Sequence, residues 1–167
     1  MVHPLDRARE LVEHGCVQVP WGAREPLDRM RAADGVVIYS PRVTNPEGEP
    51  LRSVVAAGRI RSDEPRQWGS SGRSPWRHEV DWLPDARVSP IRPLRDLLEL
   101  TRDDWFWGEK LRPGWVGISR RDFEIFEDAV RRPAPDPSGY MLRTLREAGY
   151  PDVMPTQRPP DGPRLIR

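Results

Sequence analysis

The sequence predicts an α+β domain, and three observations carry this. Apolar runs of strand length stand in its first half: Val36-Val37-Ile38-Tyr39, stopped by Ser40-Pro41, and Ser53 to Ile60. Apolar residues at helical spacing flank them, Leu5, Ala8, Leu11 and Val12 near the start and Phe123, Phe126, Ala129 and Val130 further on. The 167 residues suffice for one domain with its own core, although hydrophobic content is only 37% and the 20 prolines and 13 glycines raise the share of loop.

In chain order, the spacing predicts a helix over Pro4 to Glu13, with Gly15 just past its end as a stop. Val17 to Pro20 reads as a short strand. A turn over Gly22 to Leu27 leads to a helical or irregular step near Arg29, and Asp34-Gly35 turns into the strand Val36 to Ser40. Arg42 to Pro50 is loop by composition. Within Ser53 to Ile60, the interior Gly58 suggests a bulge or the close approach of another backbone. Gln67 to Pro75 has the composition of a flexible segment. In Trp76 to Leu83, residues Trp76, His78, Val80 and Trp82 share one face, the mark of a half-buried strand. Leu94, Leu97 and Leu98 suggest a helix entered through Pro93. Gly114 to Ile118 reads as a short strand. Ser119 to Asp122 (SRRD) resembles a capping box with Asp in the place of Glu, opening a helix through Val130. Pro133 to Pro137 is a breaker. It separates a domain over residues 1–132 from a Pro-rich extension over 133–167, in which Ser138 could cap a short helix through Ala148 and the stretch from Pro151 on is expected to be loose.

Net charge is +1, yet 26 of the 27 basic residues are Arg, Lys110 being the exception. Arg stacks on rings and grips phosphate bidentately. From Arg52 to Arg77 six arginines (Arg52, Arg59, Arg61, Arg66, Arg73 and Arg77) face only Asp63 and Glu64, and such a local patch attracts phosphate even on a near-neutral chain. Cys16 is the single cysteine, so an internal disulfide or a Cys-based zinc site is excluded. The first ten residues lack an apolar signal core and no window reaches ~18 apolar residues, so the expectation is a cytoplasmic protein without membrane contact.

Signatures of nucleotide-phosphate loops, zinc proteases and serine hydrolases are absent, and the three histidines have no ligand spacing. No cofactor, no metal and no catalytic residue is expected. The aromatic content points elsewhere. Seven tryptophans (21, 68, 76, 82, 105, 107 and 115) are available for core packing or for stacking on extruded bases. Trp82 and Trp115 lie in strand patterns and read as core. Trp21 beside Gly22 and Trp107 before Gly108 fit a core less easily, and Tyr39 ends its strand where its hydroxyl could reach a cavity rim. Gln18 points opposite to Val17 and Val19, where an amide can read a base edge. Arg24 follows the turn and could meet a phosphate or a ring.

The order of segments resembles the EVE domain family, PUA-like proteins related to YTH domains and once grouped as UPF0310-type proteins. The matching stretches are the helix ending in Gly15, VQVPWGAREPLDRM, GVVIYSP, GEPLRSVVAAGRI, DEP at Asp63 to Pro65, PWRHEVDWL, IRPLRDLLELTRDDWFWG and RRDFEIFEDAV, running from about Val2 to Arg132. The resemblance implies a strongly bent mixed sheet forming a partial barrel with helices around it. It implies a non-catalytic reader that holds a modified base of DNA or RNA in an aromatic pocket. Carried over by position, the pocket residues are Gln18, Trp21, Arg24, Tyr39, Ser40, Trp76 and Trp107, with the Arg52 to Arg77 arginines on the nucleic-acid backbone. The chain departs from the family in three places. The opening Trp-bearing strand expected before Pro4 reads as lost or as lying upstream of Met1, Trp21-Gly22-Ala23 replaces a His-Gly-Lys turn, and Phe106 replaces an Asn. Two rival readings use the same features: an enzyme acting on a small modified nucleotide, and an interaction module that docks through the tail.

Overall fold

The structure, a computed structural model, describes residues 1–67 and 74–159. Arg73 and Trp68 therefore lie outside the described residues. The fold is α+β: helices α1 (Leu5–Glu13), α2 (Arg120–Arg131) and α3 (Tyr140–Glu147) surround a six-stranded sheet. Its strands are β1 (Cys16–Val17), β2 (Gly35–Arg42), β3 (Pro50–Ile60), β4 (Arg66–Gln67), β5 (Trp76–Trp82) and β6 (Ser89–Pro90). The path runs β1-β5-β3-β2, with β4 on β5 and β6 on β3. Every strand pair is antiparallel, so the expected mixed sheet is corrected, and the sheet does not close on itself. The one parallel link among the described residues is the bridge of Val2 to Tyr39. There the Tyr39 N–H donates to Met1 O at 2.9 Å and the His3 N–H to Tyr39 O at 3.1 Å. Met1–His3 thus occupies the edge beside β2 from which a strand was expected to be missing.

α1 buries Leu5, Ala8, Leu11 and Val12 on one stripe against β1, β2 and β3. In β3, Val54 to Ala57 are buried without alternation, and α1, α2 and α3 all pack on this central strand. Burial of each such Val or Leu contributes roughly 1.5–3 kcal/mol. Gly58 is where β5 comes closest: a Cβ there would lie 2.6 Å from Asp81 O. Between β2 and β3 the register slips at Ile38/Tyr39 and again at Ser40/Arg42. Such slips bend a strand and re-aim the side chains beside them.

α2 starts at Ser119, whose Oγ accepts the Asp122 N–H at 3.1 Å. Only half of the capping box forms. The buried Asp122 carboxylate instead accepts the N–H groups of Glu99 (2.8 Å) and Leu100 (2.9 Å), pinning a distant loop. Residues 88–118 carry little regular structure. The helix expected near Leu94–Leu98 is a 3₁₀ turn over Arg92–Leu94 followed by further turns, and the strand expected over Gly114–Ile118 is irregular. Prolines 90, 93 and 113 remove backbone donors there, and Leu94 and Leu98 are buried while Leu97 is exposed, which no helical stripe requires.

Met141, Leu145 and Met154 join the same core as the sheet. Residues 150–159 are not loose. Arg9 Nη1 donates to Val153 O at 2.9 Å, Gln157 bonds both Val80 O (3.1 Å) and the Trp82 N–H (3.2 Å), and Arg158 pairs with Glu13. Among the described residues no helix is long and apolar enough to cross a membrane.

Candidate functional site

A cavity of about 870 Å³ opens between β2, the start of α2 and the irregular stretch before it. Tyr39 and Trp107 both line it, with ring centroids 6.0 Å apart at 70°, an edge-to-face pair. Tyr39 follows the first register slip in β2. Trp107 opens a 3₁₀ turn, Trp107–Leu111. Burial pushes the Tyr39 hydroxyl up to about 12, against an opposing pull from Arg52. The phenol is therefore neutral near pH 7 and keeps its proton for donation.

Two cation–π pairs complete the wall. The Arg29 guanidinium lies over the Trp115 ring at 5.3 Å, and that of Arg59 over the Phe123 ring at 4.2 Å. Arg59 also reaches Glu127 at 3.8 Å, and Arg120 stands at the start of α2. The one carboxylate on the wall, Asp34, accepts the Arg31 N–H at 2.8 Å. Flat apolar faces alternate with guanidinium groups, so the cavity suits a planar ring carrying acceptor or anionic groups.

The other expected pocket residues do not line this cavity. Gln18 Oε1 accepts from Arg7 Nη2 (3.0 Å) and Arg77 Nε (2.9 Å), which uses both lone pairs of the amide oxygen within the fold. Arg24 stacks over Trp76 at 4.4 Å and bonds Asp28 at 2.9 Å, so each of these two side chains serves the other. Ser40 is fully buried with its Oγ unpartnered, and Trp21 points wholly into solvent. The apolar spacing around these residues is that of the first turn and of β5, which pack on each other through Leu27 and His78.

Nor do the Arg52 to Arg77 arginines form one row. Arg52 and Arg59 sit at opposite ends of β3, and Arg59 turns to the cavity. Arg61 is paired with Asp81 and Glu79. Arg66 faces Arg77 across the β4–β5 pair.

Sequence reasoning missed Arg29, Trp115, Phe123 and Arg120. Trp115, which its strand pattern marks as core, is half-buried on the cavity wall. Glycines at 114 and 117 bracket it, a signal against a regular strand that could have exposed its role. Arg29 and Phe123 are joined to the site only by long-range packing.

No protein-family model matches the chain. A UPF0310 protein of Mycolicibacterium vanbaalenii is 38% identical over 131 residues, spanning 75% of this chain and 90% of that protein. A UPF0310 protein of Renibacterium salmoninarum is 38% identical over 73% of this chain and 86% of its own length. The UPF0310 protein YdcG of Bacillus subtilis is 31% identical over 70% and 80%. At these identities, over most of each protein's length, the chain belongs to the UPF0310 family.

Proposed function

We propose that the protein is a PUA-like, EVE-type module of the cytoplasm that binds a modified base of DNA or RNA in the Tyr39–Trp107 cavity, without catalysis. The observation that carries this reading is the edge-to-face pair of Tyr39 and Trp107 on the wall of a cavity whose volume, about 870 Å³, falls within the range of small-molecule sites. Ring faces recognise any base by stacking, and a neutral phenol adds a directed donor. Arg29 and Arg59 supply cations for the acceptor atoms of a base or for an adjoining phosphate. The bend implied by the two register slips in β2 favours a PUA-like partial barrel. With Asp34 already engaged by a backbone N–H, the wall offers no pair of carboxylates for acid–base work, which favours binding over turnover.

The test is titration of modified and unmodified oligonucleotides against native protein, Trp107→Ala and Tyr39→Ala. The expected result is a loss of about five- to hundredfold on the modified strand and a much smaller one on the unmodified strand. Equal losses on both remove the claim that the cavity reads the modification.

A further inference from the structure

The arginines on and beside the cavity differ in what surrounds their charge. Arg29 pairs with Glu25 at 2.5 Å, Arg120 with Glu124 at 2.9 Å and Arg59 with Glu127 at 3.8 Å. Arg52 is exposed, and among the described residues its guanidinium has neither an ion pair nor a hydrogen bond. Two residues of the cavity wall flank it. The Arg52 carbonyl accepts the Ile91 N–H at 3.1 Å, and its charge pulls on the Tyr39 hydroxyl. That hydroxyl is likewise without a hydrogen-bond partner among the described residues.

A bulge in the sheet carries this side chain. Ser40 pairs with Ser53 and Arg42 with Pro50, so two residues of β3, Leu51 and Arg52, stand opposite the single Pro41. Pro41 has no N–H to offer the ladder at that point. Leu51 is buried at the bulge and Arg52 is exposed. Arg52 has φ 50°, the left-handed region that a long side chain rarely adopts. Conformations of this kind gather at functional positions. The second register slip in β2 therefore sets a cation beside Tyr39, which itself follows the first slip.

We infer that Arg52 binds an oxyanion of the ligand, a phosphate, at the edge of the cavity, with the Tyr39 hydroxyl as a second donor. The inference takes the ring of the ligand from the base-binding reading above, and the anion from the charge of Arg52. A guanidinium is a planar fork of N–H donors that matches two phosphate oxygens at once. The neighbouring phenol is neutral near pH 7 and adds an O–H. With no carboxylate paired to Arg52 among the described residues, a phosphate arriving there displaces only water. The phosphate belongs either to a free nucleotide or to the backbone of a strand, and both meet the same two donors.

The experiment uses N6-methyladenosine and 5-methylcytidine, each as the nucleoside, as its 5′-monophosphate and at the centre of a five-nucleotide single strand. They are titrated at low salt against native protein, Arg52→Asn and Trp107→Ala. Asn is at ease in the left-handed region, so Arg52→Asn removes the charge and keeps the bulge. Native protein should bind a phosphate-bearing probe about tenfold more tightly than the nucleoside. Arg52→Asn should lose that gain and keep native affinity for the nucleoside, whereas Trp107→Ala should weaken every probe. A gain that Arg52→Asn removes on the strand alone places the phosphate in a nucleic-acid backbone. The same on the monophosphate alone places it in a free nucleotide, and either result supports the inference. Native affinity of Arg52→Asn for monophosphate and strand overturns it, and nucleosides that still bind through Trp107 then leave the base-binding reading standing. An equal loss on nucleoside and monophosphate in Arg52→Asn assigns the residue to structure and overturns the inference as well. Native protein that binds no probe defeats both.

Discussion

The turn Pro20–Asp28 with β5, and the cavity beside β2, hold much the same residue types and use them in different ways. In the first region Arg24 covers Trp76, Gln18 takes two guanidinium donors, and His78 Nε2 bonds Leu27 O at 2.9 Å. Each of these groups meets another part of the chain, whereas Trp21 in the same turn stands in solvent. In the second, Tyr39 and Trp107 meet edge to face, and Arg29 and Arg59, paired with Glu25 and Glu127, lie over rings on the cavity wall. The contrast teaches that residue type does not mark a site; what sets the second region apart is that its rings and cations line a cavity. Substitutions in the first region should change stability, and those in the second should change binding.

The largest expected effect sharpens the stability half. His3 Nε2 lies 2.7 Å from Gln18 O, and burial pushes this imidazole down to about 4 from its ordinary 6.5. The unfolded chain therefore binds a proton that the folded one refuses between these values. The contribution of this group is full above about pH 6.5 and falls as pH drops toward 4, by about 3 kcal/mol. Urea unfolding across that range should show the fall, and His3→Gln should remove this share of it, leaving the share of the Met1 amine, which burial pushes down to about 5. A native protein as stable at pH 4.5 as at pH 7 would contradict it.

Next comes the wall of the cavity. Asp122→Ala strands the Glu99 and Leu100 N–H groups and should cost about 1–3 kcal/mol of stability. Because Leu100 lines the cavity, ligand affinity should drop with it, which couples stability to binding at this one carboxylate. Unchanged urea midpoints would show that the loop holds without it. Arg24→Gln, which removes an exposed cation–π contact, should cost about 0.5–1 kcal/mol and leave binding alone. The smallest effect separates two arginines of one strand end. Arg59→Gln should lower the salt slope of oligonucleotide binding by about one, whereas Arg61→Gln, already neutralised by Asp81, should leave it unchanged. Equal slopes in the two variants would break the distinction.

The regular part of the fold was legible in the sequence. α1, β2, β3, β5 and α2 each bury residues at the spacing that predicts them, because one face of each meets the core. Residues 88–118 were not legible. Their buried side chains, such as Val88, Ile91, Leu94 and Leu98, are set by turns and prolines, and such packing has no period. The site follows the same division. Tyr39 and Trp107 sit beside breaks in pattern, so the sequence exposes them. Arg29, Trp115 and Phe123 reach the cavity only through tertiary contacts, and Gln18, Arg24 and Trp76 find partners that no local pattern announces.

The most direct test sets Trp107→Ala beside Trp76→Ala in calorimetric titrations with one modified oligonucleotide. The account predicts about five- to hundredfold weaker binding for Trp107→Ala and native affinity for Trp76→Ala. Comparable losses in both, or a loss confined to Trp76→Ala, would place the ligand at the first turn and contradict the assignment of the site to the Tyr39–Trp107 cavity.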